Sequence, residues 1–186
     1  MEIKKEDLMK MFTAQSAVNA KNTEKEKPAM PDYLTDFTVY MWATLNTMSP
    51  LWRLNDHRAI PSQELVLASF ARCYGAALSA ILCVPAEIKK NDGTADHPFD
   101  TTVDNFITLV KTYYNDVTSP DKDGNKASIR DVVQLIGTAC ELQDNQHLSF
   151  LSEFVLLNVI IQMAYPTLTF DEIIKYHASY LAMLNN

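Results

Sequence analysis

The stretch SQELVLASFARCYGAALSAILCV, residues 62–84, decides the fold class of this chain. After Glu64 its only charged residue is Arg72, and apolar side chains occupy most positions around a helical period. A helix that is apolar on most faces has to be buried on most faces. The stretch therefore predicts a central helix that other helices surround.

The stretch FVLLNVIIQMAY at residues 154–165 has the same apolar character and ends before Pro166. Amphipathic or apolar segments with helix-start signals predict five more helices, and Thr169 with Glu172 predicts a capping box at the start of the last one. These lie at about residues 3–20, 31–48, 99–116, 128–142 and 169–186. The chain has only four glycines, which argues against the many tight turns of an all-β fold. We expect an all-α, single-domain bundle of about seven helices spanning residues 1–186.

Three polar segments are predicted to connect these helices. Residues 21–30 indicate an exposed linker, and residues 85–98 and 118–127 indicate polar loops. Two of these helices are apolar on most faces, so the fold has to bury a large apolar surface. Either a central helix is enclosed by the others, or an apolar face pairs with a second subunit.

Composition narrows the range of partners. The net charge of −7 argues against nucleic acid or an anionic membrane surface as a partner. The N-terminal residues lack the apolar stretch of a signal peptide, and no charge-free run of about 18 apolar residues predicts a membrane span. The three cysteines have no C-x-x-C spacing and suit reduced thiols. A cytoplasmic location is expected.

Common site motifs are not found in the sequence. The loop that begins at Asp121 superficially resembles a calcium loop, but its twelfth position is Val132 where an EF-hand needs a bidentate glutamate. No metal ligand set and no catalytic nucleophile is predicted, and the histidines are scattered without zinc-ligand spacing. They are His57, His97, His147 and His177.

Several segments carry a resemblance to one family. They include LMKMFTAQSAVN (8–19), YMWATLNTMSPLW (40–52) and QELVLASFARCYGAALSAIL (63–82). Their order and pattern are similar to those of the dimeric all-α dUTPases, relatives of the MazG-type nucleoside triphosphate pyrophosphatases. The resemblance implies a dUTPase-like fold and a homodimer. It also implies that Gln15, Asn19 and Trp52 lie where the family binds the uracil nucleotide.

The same resemblance locates a metal site from which most ligands are missing. In the family, carboxylates three residues apart on two facing helices hold Mg²⁺ against the substrate's phosphates. The matching positions here are Met41, Thr44, Glu64 and Leu67. One carboxylate of four cannot hold Mg²⁺, so no cofactor and no catalytic residue is expected.

Three functions stay open at this point. The first is a non-catalytic dUTPase-like protein that binds a protein partner or a nucleotide, from a bacterial or phage-infected cytoplasm. The second is an active dUTP or NTP diphosphatase that uses Mg²⁺ at a rearranged site, for example Asp32, Asp36 and Glu64. The third is an unrelated helical interaction module.

Overall fold

The computed structural model describes the backbone of residues 1–21, 29–92, 99–141 and 146–185, and the side chains of residues 1–21, 29–83, 102–140 and 150–185. Seven α-helices and no strand occupy this part of the chain, which confirms the all-α prediction. The helices are α1 (Lys5–Lys21), α2 (Met30–Thr47), α3 (Gln63–Asp92), α4 (Phe99–Thr118), α5 (Ile129–Glu141), α6 (Gln146–Ala164) and α7 (Phe170–Leu184). A short 3₁₀ turn, Ser49–Leu51, follows α2.

Local side-chain bonds define where several helices begin. The backbone nitrogen of Ala29 donates to Asp32 at the start of α2 (2.7 Å). At α7, Thr169 and Glu172 form the predicted capping box, in which each backbone N–H donates to the other residue's side chain. Such bonds satisfy N–H groups that have no partner inside the helix.

Two apolar helices form the centre of the bundle. Helix α3 packs against α1, α2, α4 and α7, as the sequence predicted for a central helix. Helix α6 is also enclosed, because the ten consecutive residues Glu153–Gln162 are all buried. Phe154 of α6 stacks on Phe106 of α4 (4.8 Å) and meets Tyr74 of α3 edge-on (4.9 Å). Offset and edge-to-face contacts of this kind are favourable between buried rings.

The connecting segments differ in part from expectation. Helix α3 continues through Pro85 to Asp92, so the loop predicted for residues 85–98 does not begin at residue 85. The residues after Pro85 include strong helix formers, and their propensity outweighs the hydrogen bond that proline removes. Residues 93–98 of that loop and 22–28 of the predicted linker lie outside the described residues. The 118–127 segment joins α4 to α5 through a turn in which Gly124 has φ +84°.

One segment of α3 matches a membrane span in length and composition. This segment, Gln63–Cys83, is 72% buried within the bundle. The core helix of a compact helical protein has the same length and apolar character, so the match is weak evidence for a membrane.

Candidate functional site

The positions at which the resemblance predicts metal ligands lie on α2 (Met41 and Thr44) and on α3 (Glu64 and Leu67). Met41, Thr44 and Leu67 are fully or almost fully buried. The hydroxyl of Thr44 donates to the carbonyl of Tyr40 (2.8 Å) and lies 3.1 Å from the hydroxyl of Ser69. These three positions are therefore buried and carry apolar or neutral side chains.

Glu64 does not join that buried group. It lies in the first turn of α3 and is exposed. Among the residues that the structure describes, no three side chains of His, Cys, Asp or Glu are grouped so that they could hold a metal ion.

The rearranged carboxylate site considered from sequence does not assemble. Thr44 contacts Ser69, and Phe37 accepts from Cys73, so α2 and α3 run antiparallel. At a rise of 1.5 Å per residue, Asp32 and Glu64 are separated by about 25 Å along the helix axes. The carboxylate of Asp32 is bonded instead at the start of α2. Asp32, Asp36 and Glu64 therefore cannot share one Mg²⁺.

Gln15 and Asn19 lie together, in a chain of hydrogen bonds between α1, α3 and α7. The ring nitrogen Nε2 of His177 donates to Gln15 Oε1 (3.0 Å), and Gln15 Nε2 donates to Asn19 Oδ1 (2.9 Å). Asn19 Nδ2 donates to the hydroxyl of Ser79 (3.1 Å), which donates to the carbonyl of Gly75 (2.9 Å). We call these five residues the polar chain. Each member donates to the next, so the bonds polarise one another.

Burial makes the polar chain a structural element of the bundle. Gln15 is 4% exposed and His177 is 1% exposed. Burial lowers the pKa of His177 from 6.5 to about 4, because the charged imidazolium would lose its hydration. A neutral His177 carries one ring proton, and the bond to Gln15 Oε1 places that proton on Nε2.

Gly75 permits the close approach of α7 to the polar chain. A Cβ added at Gly75 would lie 2.8 Å from a ring carbon of Tyr180 and 3.1 Å from Gln15 Oε1. Sequence reasoning identified Gln15 and Asn19 but missed Gly75, Ser79 and His177. A glycine and a serine inside a strongly apolar helix were the available signal, since both leave room for a neighbouring polar group.

Trp52 is not part of the polar chain. Its indole Nε1 donates to the carbonyl of Leu45 (2.9 Å), and the guanidinium of Arg53 lies 4.8 Å from its ring centre. These contacts stabilise the turn after α2. The structure therefore brings Gln15 and Asn19 together but places Trp52 in a different environment.

A small ionic cluster organises the same turn. The guanidinium of Arg58 donates to Ser49, to Asp56 and to the carbonyl of Asn46, and Ser49 in turn donates to Asp56. These bonds hold the pKa of Asp56 well below its usual range. Because the charges of Arg58 and Asp56 pair with each other, the cluster stabilises the loop that leads into α3.

A groove of about 480 Å³ runs between α1 and α7 beside the polar chain. His177 lines it, together with apolar residues such as Met11 and Leu181. Lys10 at its edge is paired with Asp7 (2.7 Å). Gln15 is not among the residues that line this groove, so its amide faces the interior of the bundle.

Comparison of the chain with models of known families, with characterised proteins and with solved structures finds no match. The resemblance to the dimeric dUTPases therefore stays a prediction made from segment order and side-chain pattern.

Proposed function

We propose that the chain is a non-catalytic protein with a dUTPase-like helical fold, which acts in the cytoplasm by binding protein. The observation that supports the proposal is the burial of Met41, Thr44 and Leu67, three neutral side chains at positions where the resemblance predicts carboxylates. Mg²⁺ needs several oxygen ligands in near-octahedral geometry. A buried methionine, a leucine and an internally bonded threonine supply no such set.

The state of Gln15 favours a protein over a nucleotide as the partner. A residue that reads a base must offer its amide to the ligand, but both ends of the Gln15 amide are bonded to His177 and Asn19. Breaking these buried bonds to admit uracil would leave a histidine and an asparagine unsatisfied. A nucleotide would therefore have to replace an internal network that already satisfies these groups.

The outer face of α2 suits a second copy of the chain. Val39 is 58% exposed and Trp42 is 42% exposed, and no charged residue occurs in α2 from Thr38 to Thr47. Two copies of a chain with net charge −7 repel each other, and a contact face without charged residues adds no close pairs of like charges. Tryptophan is also enriched among the residues that dominate interface energies. We place the homodimer contact on this face.

The catalytic half of the proposal is tested by a pyrophosphate-release assay. The purified chain is incubated with Mg²⁺ and each common nucleoside triphosphate, dUTP and dCTP included. We expect no release above the buffer rate. Mg²⁺-dependent turnover that is lost in Glu64→Gln would contradict the proposal and favour a diphosphatase.

The association half is tested by light scattering over a range of concentrations. We expect a dimer for the unaltered chain and a monomer for Trp42→Glu. Leu135→Glu, which changes an equally exposed apolar residue on α5, serves as the control and should leave the dimer intact. A monomer at every concentration of the unaltered chain would exclude self-association through α2.

A further inference from the structure

The groove between α1 and α7 has a length that suits a third helix. Its lining residues recur at intervals of mostly three and four along both helices, from Lys10 to Lys21 and from Ile174 to Asn185. At a rise of 1.5 Å per residue the groove is about 16 Å long, which is three helical turns. Grooves of this kind accept a partner helix, which lays its apolar face between the two walls.

Small side chains leave the floor of the groove accessible to such a helix. The floor includes Met11 and Leu181, whose side chains are buried. Two alanines from each helix are exposed along the rim, namely Ala14, Ala17, Ala178 and Ala182. Alanine extends little beyond the backbone, so apolar side chains of a docked helix can cover both rim and floor and remove them from water.

The helices α1 and α7 run in the same direction along the groove. Gln15 accepts from His177, and further along both helices Lys21 donates to Asn185 (3.3 Å). The two macrodipoles are therefore parallel, and their positive N-terminal ends lie at the same end of the groove. A third helix is favoured when it runs antiparallel to both, because its negative C-terminal end then lies near these positive ends.

Charged side chains favour the same direction. The first turns of α1 and α7 are acidic and contain Glu6, Asp7, Asp171 and Glu172. These four carboxylates outnumber the three lysines that interact with them, Lys4, Lys10 and Lys175. At the other end, Lys21 is the one charged residue among those that line the groove. A helix is itself stabilised by acidic residues in its first turn and basic residues in its last turn. Docked antiparallel, such a helix places opposite charges together at both ends.

We propose that this groove binds an amphipathic helix of a partner protein, antiparallel to α1 and α7, with an acidic first turn and a basic last turn. The proposal rests on the proposed role in binding protein and identifies the kind of partner. None of the groove's lining residues belongs to α2. A failure at this groove would therefore leave the light-scattering test of the α2 contact unaffected.

The test is fluorescence anisotropy of the intact chain with a labelled synthetic peptide, SEELAQLLAALLAQLKK, as the probe. Its leucines form one helix face, and its charges have the proposed order. We expect saturable binding, weakened about tenfold or more in Ala178→Trp, because the indole would fill the groove. Lys21→Glu should weaken binding about threefold at low salt and less at high salt, since the attraction is screened.

Two controls separate this groove from other apolar surface. Ala68→Trp changes an exposed alanine on α3 that does not line the groove, and it should bind the peptide as the unaltered chain does. A second peptide, SKKLAQLLAALLAQLEE, has the same apolar face with the charges exchanged and should bind more weakly. Absence of saturable binding, unchanged affinity in Ala178→Trp or Lys21→Glu, or equal affinity for the two peptides would each overturn the proposal. Ala178 and Lys21 are exposed, so neither substitution threatens folding.

Discussion

The substitution His177→Gln should remove a specific part of the pH dependence of folding. In the folded chain the buried imidazole stays neutral and donates to Gln15, and its pKa is lowered from 6.5 to about 4. In the unfolded chain the same imidazole is hydrated and takes up a proton below pH 6.5. Between the two values the unfolded state binds more protons, so stability falls as the pH falls.

The size of the effect follows from the two pKa values. Each pH unit between them changes the free energy of unfolding by about 1.4 kcal/mol. Over the window from pH 6.5 to about 4 the loss attributable to His177 is about 3 kcal/mol. Above pH 6.5 the histidine is neutral in both states, and its contribution is fully present.

The assay is urea denaturation of the unaltered chain and His177→Gln at several values of pH from 4 to 7.5. Glutamine can still donate to Gln15 but does not titrate. Other groups act in both proteins, including Glu153, whose pKa is raised by burial, and they cancel in the difference between the two curves. The difference in unfolding free energy should therefore change by about 1.4 kcal/mol per pH unit below pH 6.5.

A matched control and a refuting result complete this design. Gly137→Ala, which has open space around it and changes no titrating group, is the control, and its curve should run parallel to that of the unaltered chain. If the His177→Gln curve also runs parallel between pH 4 and 6.5, His177 does not stay neutral in the folded state. The polar chain would then need a different account.

Three further stability measurements test the packing, each by urea denaturation. Gly75→Ala should lower the free energy of unfolding by about 1–3 kcal/mol, because an added Cβ would lie 2.8 Å from a ring carbon of Tyr180 on α7. Gly137→Ala has open space around it and should raise the free energy of unfolding by about 0.5–1 kcal/mol. Equal effects at the two glycines would contradict the crowding at Gly75. Leu67→Glu introduces a carboxylate at a position of the expected metal site but buries its charge, so it should lower the free energy of unfolding by about 3 kcal/mol or more. The control Leu65→Glu changes an exposed residue and should lower it by about 0.5 kcal/mol or less. Thr169→Ala should cost about 1 kcal/mol by removing the cap of α7, and a loss near zero would show that the capping box contributes little.

The sequence was most informative where structure depends on neighbouring residues. The capping box of Thr169 and Glu172 was predicted and is confirmed, since its donors and acceptors lie within one helical turn. The start of α4 at Phe99 and the end of α6 before Pro166 also follow from local pattern. Pro85 was misleading, because proline alone predicted the end of a helix whose later residues favour continuing it.

The candidate site could be predicted only in part, for a physical reason. Gln15 and Asn19 share a helix face at i and i+4, so their contact is readable from sequence. Their other partners, Ser79 and His177, are distant in the chain and meet them only after three helices have packed.

The sequence by itself therefore determined the helical class, the apolar core helices and the absence of carboxylates at Met41, Thr44 and Leu67. Helical period and residue chemistry are local properties, so they can be determined from the sequence without the fold. Only the tertiary structure decided that these three side chains are buried and that Gln15 is bonded inside the bundle. The burial of a side chain and its hydrogen-bond partners depend on which helices pack against each other, and these helices are distant in the sequence.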